Sequence, residues 1–118
     1  MRTLLATVRN RDLTRSGRRL LARPCPAPNR LANLLRRHHE ELRDGLGLST
    51  PAIERWGWLA RQAGALAVKV LGSGGGGLLL AYAPTAMADV LASLHRVGGR
   101  ARPVRFVAGA RIADDPVT

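Results

Sequence analysis

"VKVLGSGGGGLLLAY", residues 68–82, sets two short apolar runs on either side of a glycine cluster. Val68 and Val70 alternate with Lys69, the period-2 signature of a strand, and "LLLAYA" reads as a second, largely buried strand ended by Pro84. Strands joined by so tight a loop pair antiparallel, so the stretch predicts a hairpin whose tip runs from Gly72 to Gly77. Glycine at such a tip permits positive φ and lets another backbone or a phosphate come within contact distance. Successive N–H groups there can form an anion-binding concavity. Five glycines in six positions exceed what a simple flexible turn needs.

Read literally, Gly72, Gly74 and Gly77 make a G-x-G-x-x-G pattern. A dinucleotide fingerprint needs a helix after the glycines and an acid about 20 residues further on. Here a strand follows, and Val97 stands where the acid belongs. A Walker A loop needs G-K-[ST], which "GGGGLLL" lacks. Both nucleotide motifs are excluded, and a glycine loop between two strands remains.

Upstream, "LSTPAIERWGWLARQAG" carries the strongest local signal. Ser49 or Thr50 caps a helix, Pro51 suits its first position, and Glu54 lies near its positive end. Ile53, Trp56, Leu59 and Ala60 form the inward stripe and Gly64 closes the helix, with Trp58 more exposed than Trp56. Before it, Asn29 caps "RLANLLRRHHEELRDGL", whose Leu31, Leu34, Leu35 and Leu42 share a face, and Gly45 or Gly47 stops it. Residues 3–22 show a ragged helical pattern interrupted by Gly17, and "RPCPAP" is a stiff connector. After the hairpin, "TAMADVLASLHRVGG" predicts a helix with Met87, Val90, Leu91 and Leu94 on one face. "PVRFVA" and "GARIADD" predict a third and a fourth short strand. The pattern is an α+β fold with helices on one face of an antiparallel sheet. Residues 1–28 are expected to be a basic extension with its connector, and 29–118 the domain.

The 118 residues suit one domain, and 46% hydrophobic residues can build its core from Leu, Ala and Val. Cys25 alone excludes an internal disulfide framework and reads as a spectator thiol. No apolar run reaches a membrane span and no signal peptide is read, so a cytoplasmic location is the default expectation. Formal charge is +11, yet eighteen of the nineteen basic residues are Arg, a bias that suits GC-rich coding as well as phosphate binding. Residues 1–37 hold ten Arg against Asp12, which keeps a nucleic-acid partner open beside a solvated basic face. His38 and His39 point about 100° apart on a helix and lack metal-ligand spacing, so they are assigned to a polar helix face. His95 is read as structural, near its helix's negative end. Lys69, three residues before the loop, can approach a phosphate or be a paired or solvated strand lysine.

Residues 49–84, "STPAIERWGWLARQAGALAVKVLGSGGGGLLLAYAP", resemble the third motif of the GHMP kinases and the helix before it. The matching positions are Ser49, Thr50, Pro51, Ile53, Glu54, Gly64, Ala65, Lys69 and Gly72 through Gly77. "LLLAYAP", "RPVRF" and "GARI" follow in the order of the branch that includes heptose-phosphate kinases. The resemblance implies a ferredoxin-like C-terminal domain of an ATP- and Mg2+-dependent kinase acting on a sugar or sugar phosphate. It implies that Gly72, Ser73, Gly74, Gly75, Gly76 and Gly77 line the cleft near phosphates, with Lys69 close by and Ser73 able to offer a hydroxyl. The family's first motif, phosphate loop and N-terminal catalytic acid have no counterpart here, and Ala67 and Val68 replace a Gly-[AG] pair. A truncated gene product or half of a split enzyme is therefore expected. Its partner would be a separate N-terminal kinase domain or a second copy, and a non-catalytic docking module is the other alternative.

Overall fold

The computed structural model describes residues 1–72 and 77–105. Its elements are α1 (Arg2–Leu21), α2 (Pro28–Glu40), a π-helical turn (Glu41–Gly45), α3 (Pro51–Gln62), β1 (Ala67–Leu71), β2 (Leu78–Tyr82) and α4 (Met87–Arg96). The fold is α+β, built on an antiparallel β1–β2 hairpin that pairs Val68 with Ala81 and Val70 with Leu79. Of the third expected strand, residues 103–105 have no regular secondary structure, and 106–108 lie outside the described residues. The fourth, 109–115, lies outside them entirely.

α3 begins as its sequence dictates: the Thr50 hydroxyl accepts from the Ile53 N–H at 3.2 Å, and Pro51 occupies the first turn. It ends at Gly64, whose φ is 115°. α2 differs from expectation at its start. Pro28 opens it after Ala27, so Asn29 lies inside the helix and caps nothing. Past Glu40 the helix widens into the π turn, closed by Leu46 N–H donating to Glu41 O, and Gly47 (φ 66°) ends it. α1 passes through Gly17 without a break, because Arg, Leu and Ala are strong helix formers and one glycine costs only about 1 kcal/mol.

Two small clusters hold these elements together. Ala60, Ala65, Val68, Val90 and Leu94 join α3, β1 and α4, with Trp56 and Leu59 packed against them. Leu42, Ile53 and Val70 form the second, under the far end of β1. α3 spans both, through Ala60 in one and Ile53 in the other. Full burial of a Val, Leu or Ile contributes about 1.5–3 kcal/mol, so the three residues of the second cluster hold the hairpin end firmly. Met87, placed on the inner stripe by periodicity, is instead 51% exposed; Val90 and Leu94 alone form the buried contact of α4. α1 buries Ala6, Leu13 and Leu20, while Leu4, Leu5 and Val8 face outward, so its ragged pattern reflects a narrow stripe of small contact area.

β1 runs so close to α3 that a Cβ on Gly57 would lie 2.9 Å from Val68 Cγ2. A Cβ on Gly17 would meet nothing within 4 Å. The same substitution should therefore act with opposite signs. Gly17→Ala is expected to stabilise the fold by up to about 1 kcal/mol through helix propensity. Gly57→Ala should destabilise it, overpacking worth about 1–3 kcal/mol outweighing the propensity gain. Urea midpoints of the two variants check both signs.

Candidate functional site

The hairpin tip is the feature that the sequence singled out, and the structure describes its two ends. Gly72, at φ 65°, turns the chain out of β1, and both Gly72 and Gly77 are exposed. An L-residue at that φ would be strained, so the turn requires glycine. Ser73, Gly74, Gly75 and Gly76 lie outside the described residues.

Lys69 stands three residues before Gly72, and it is neither solvated nor ion-paired among the described residues. It is 9% exposed, and its Nζ donates to the Val70 carbonyl at 3.0 Å. Burial pulls its pKa below the ordinary lysine value. His38 on α2 is likewise held below its usual range, first by burial and then by the charge of Lys69. A buried ammonium satisfied by one carbonyl costs stability. Such a group, next to an open glycine turn, is a candidate for binding an anion.

His39 is the main correction. It lies on no polar face; it is 5% exposed and bonded on both ring nitrogens. Nδ1 accepts from the Val70 N–H at 3.1 Å, and Nε2 lies 2.9 Å from Glu54 Oε1. The same carboxylate oxygen accepts from Ser49 Oγ at 2.7 Å, and Arg43 of the π turn lies 3.8 Å from Oε2. Burial pushes the Glu54 carboxyl up, but the hydrogen bonds from Ser49 and His39 and the charge of Arg43 outweigh it, leaving its pKa below the ordinary value. Ser49, Thr50 and Glu54 thus have distinct tasks. Thr50 caps α3, while Ser49 orients the carboxylate that holds the imidazole. A signal for His39 was present in the spacing: it lies four residues after Leu35 and three before Leu42, on the inward face of its helix.

α2 lies along β1 in the same sense, since Arg36 donates to Leu66 O and His39 meets Val70 N–H. A cleft of about 690 Å³ lies elsewhere, between α1 and the π turn. Its charges neutralise one another, as in Arg9–Glu41 and Arg43–Asp44, which leaves no side available for a ligand of one sign. His95 Nε2 donates to Ala101 O at 2.7 Å, a structural tie, and Cys25 is exposed. Among the described residues no helix is long and apolar enough to cross a membrane.

The sequence matches the GHMP kinases C terminal family over residues 19–100, and the chain belongs to that family. Its relatives include the mevalonate kinase of Thermococcus sibiricus, 39% identical over 70 residues, which are 59% of this chain and 21% of that protein. The mevalonate kinases of Thermococcus gammatolerans and Pyrococcus furiosus are each 40% identical over 70 residues, with the same shares. The chain thus spans about a fifth of the length of these relatives.

Because the folded-state pKa of Glu54 is depressed, its contribution to stability is present above its ordinary value of 4.5 and is lost as pH falls through the folded value. Glu54→Gln should accordingly show a flatter loss of stability on acidification below that pH than the unaltered chain. Urea midpoints measured from neutral pH down to about pH 3 compare the two curves.

Proposed function

We propose that this chain is the C-terminal part of an ATP-dependent GHMP-type kinase, contributing the Gly72–Gly77 hairpin and Lys69 to the phosphate side of the cleft. The observation that carries this reading is a buried lysine without a carboxylate partner among the described residues, three positions before an exposed glycine turn. Phosphoryl transfer depends mainly on positioning and charge stabilisation, so backbone N–H donors and one ammonium suffice as this domain's share. ATP supplies the phosphoryl group, and its anionic chain suits this donor set. Mg2+ accompanies ATP in this family reading, and among the described residues no group of three or more His, Cys, Asp or Glu is placed for an ion. Swinging Lys69 Nζ from Val70 O to a phosphate exchanges a neutral acceptor for an anionic one, which offsets part of the cost of its burial.

The acceptor is a hydroxyl of a small molecule. The branch resemblance in "LLLAYAP" implies a sugar or sugar phosphate, whereas the relatives' names support mevalonate, and that agreement makes mevalonate the first choice. The remaining parts of the machinery belong to an N-terminal kinase portion, either a separate chain or one supplied by a second copy.

The test is reconstitution. The chain is mixed with the part of Pyrococcus furiosus mevalonate kinase that precedes the matched stretch, with ATP and either mevalonate or a heptose phosphate. Turnover with mevalonate in the mixture and none with the chain alone is the expected result. Turnover by the chain alone would show the catalytic parts to be misplaced. Lys69→Met should raise the melting temperature, removing a cost of about 1 kcal/mol or more, yet lower the reconstituted rate at least about tenfold.

A second reading, nucleic-acid binding, is favoured by α1, which carries six Arg against Asp12. It predicts filter retention of RNA or DNA that falls steeply between low and moderate salt. No retention at low salt removes it.

A further inference from the structure

We propose that His39 is a positioning residue for the glycine hairpin: its neutral imidazole, protonated on Nε2, fixes the backbone of Val70 and so sets the direction in which the loop leaves β1. The proposal rests on the reading of that loop as phosphate-facing.

The tautomer follows from the partners. A backbone N–H only donates, so the ring nitrogen facing Val70 N at 3.1 Å presents a lone pair. The ring proton is then on Nε2, which donates to Glu54 Oε1 at 2.9 Å. An imidazolium would set two N–H groups against each other at Val70, so only the neutral ring makes both bonds. Glu54 is fixed in turn by Ser49 Oγ at 2.7 Å and by the Arg43 guanidinium. One ring therefore ties α2 to the start of α3 and to the end of β1.

The point of attachment matters because Val70 is two residues before Gly72. Its side chain is fully buried against Leu42 and Ile53, and its register is set by pairing with Leu79 of β2. The His39 bond adds a tie from α2 to the backbone N–H of Val70, close to the point where the chain leaves the strand. The other polar group of Val70 is held differently, since its carbonyl accepts from Lys69 Nζ. When Lys69 turns to an anion the carbonyl tie is given up, and the His39 bond remains to hold the strand.

The experiment uses the 118-residue chain and needs no kinase activity. Ring 15N spectra report the tautomer of His39, and backbone amide exchange is followed in the unaltered chain, His39→Gln and His39→Leu. Gln reproduces the geometry, with Oε1 accepting and Nε2 donating; Leu fills the space only. Exchange at Val70 and Gly72 is expected to rise about tenfold in His39→Leu relative to Val90 and Leu94, and to stay within about threefold in His39→Gln. An Nδ1–H tautomer overturns the proposal, as does His39→Gln behaving like His39→Leu, or His39→Leu leaving Val70 and Gly72 protected. Should His39→Leu fail to fold, the ring spectrum and His39→Gln decide the matter. Titration with inorganic pyrophosphate separates the two ideas. Exchange changes of the expected pattern with no pyrophosphate effect on Gly72 or Gly77 remove the phosphate-facing reading and leave the clamp standing.

Discussion

A backbone amide at the end of β1 has to find an acceptor, and the imidazole of His39 provides it. A buried N–H left without a partner costs about 1–3 kcal/mol, comparable with the whole contribution of a buried aliphatic side chain. The requirement propagates outward. A ring that accepts on Nδ1 must donate on Nε2, which calls for a carboxylate at that point in α3, and Glu54 is there. A carboxylate drawn partly out of water needs further donors, which Ser49 and Arg43 supply. The residues between the helices are therefore determined by one strand amide as much as by apolar packing.

The rest of the architecture keeps that point rigid. The two apolar clusters are each small, and α3 crosses both, so neither can shift without moving the helix that carries Glu54. The close approach at Gly57 brings the α3 backbone directly onto the Val68 side chain of β1. Against this rigid background Lys69 stands out as a local conflict: it is buried, it is satisfied by a single carbonyl, and its charge bears on His38. Neither packing nor hydrogen bonding in the resting fold accounts for an ammonium at that position. The proposed contact with an anion supplies a reason for it.

Much of the fold was legible from residue patterns. The hairpin register, the Thr50 cap with Pro51, and the contrast between Trp56 and the exposed Trp58 all follow from local rules about periodicity and capping. What escaped was set by contacts distant in sequence. His39 and Val70 are 31 residues apart, and no local rule connects them. Adjacent histidines beside two glutamates look like a polar face until Leu35 and Leu42 are seen to share the inward side with His39. For Lys69, alternation assigns the opposite face from Val68 and Val70 and leaves a solvated or paired lysine open beside a phosphate contact; with α2 lying along β1, that face is covered too. Asn29 fails as a cap because Pro28, with its preset φ, starts the helix two residues earlier, after Ala27.

The brace is compact in a way that bears on how the chain works. Every residue in it, from Arg36 to Val70, falls inside the stretch that matches the GHMP kinases C terminal family. The first tie runs from Ser49 to Glu54 within one turn region, and the longer ones join α2 and α3 to a strand that follows α3 directly. Such a unit closes short loops and satisfies its own polar groups, so its shape does not depend on contacts from a second domain. Preorganised donors are effective in phosphoryl transfer because they need not be rearranged when charge develops. In the proposed kinase role, a hairpin whose exit direction is set by its own domain would meet that condition before an N-terminal portion docks against it.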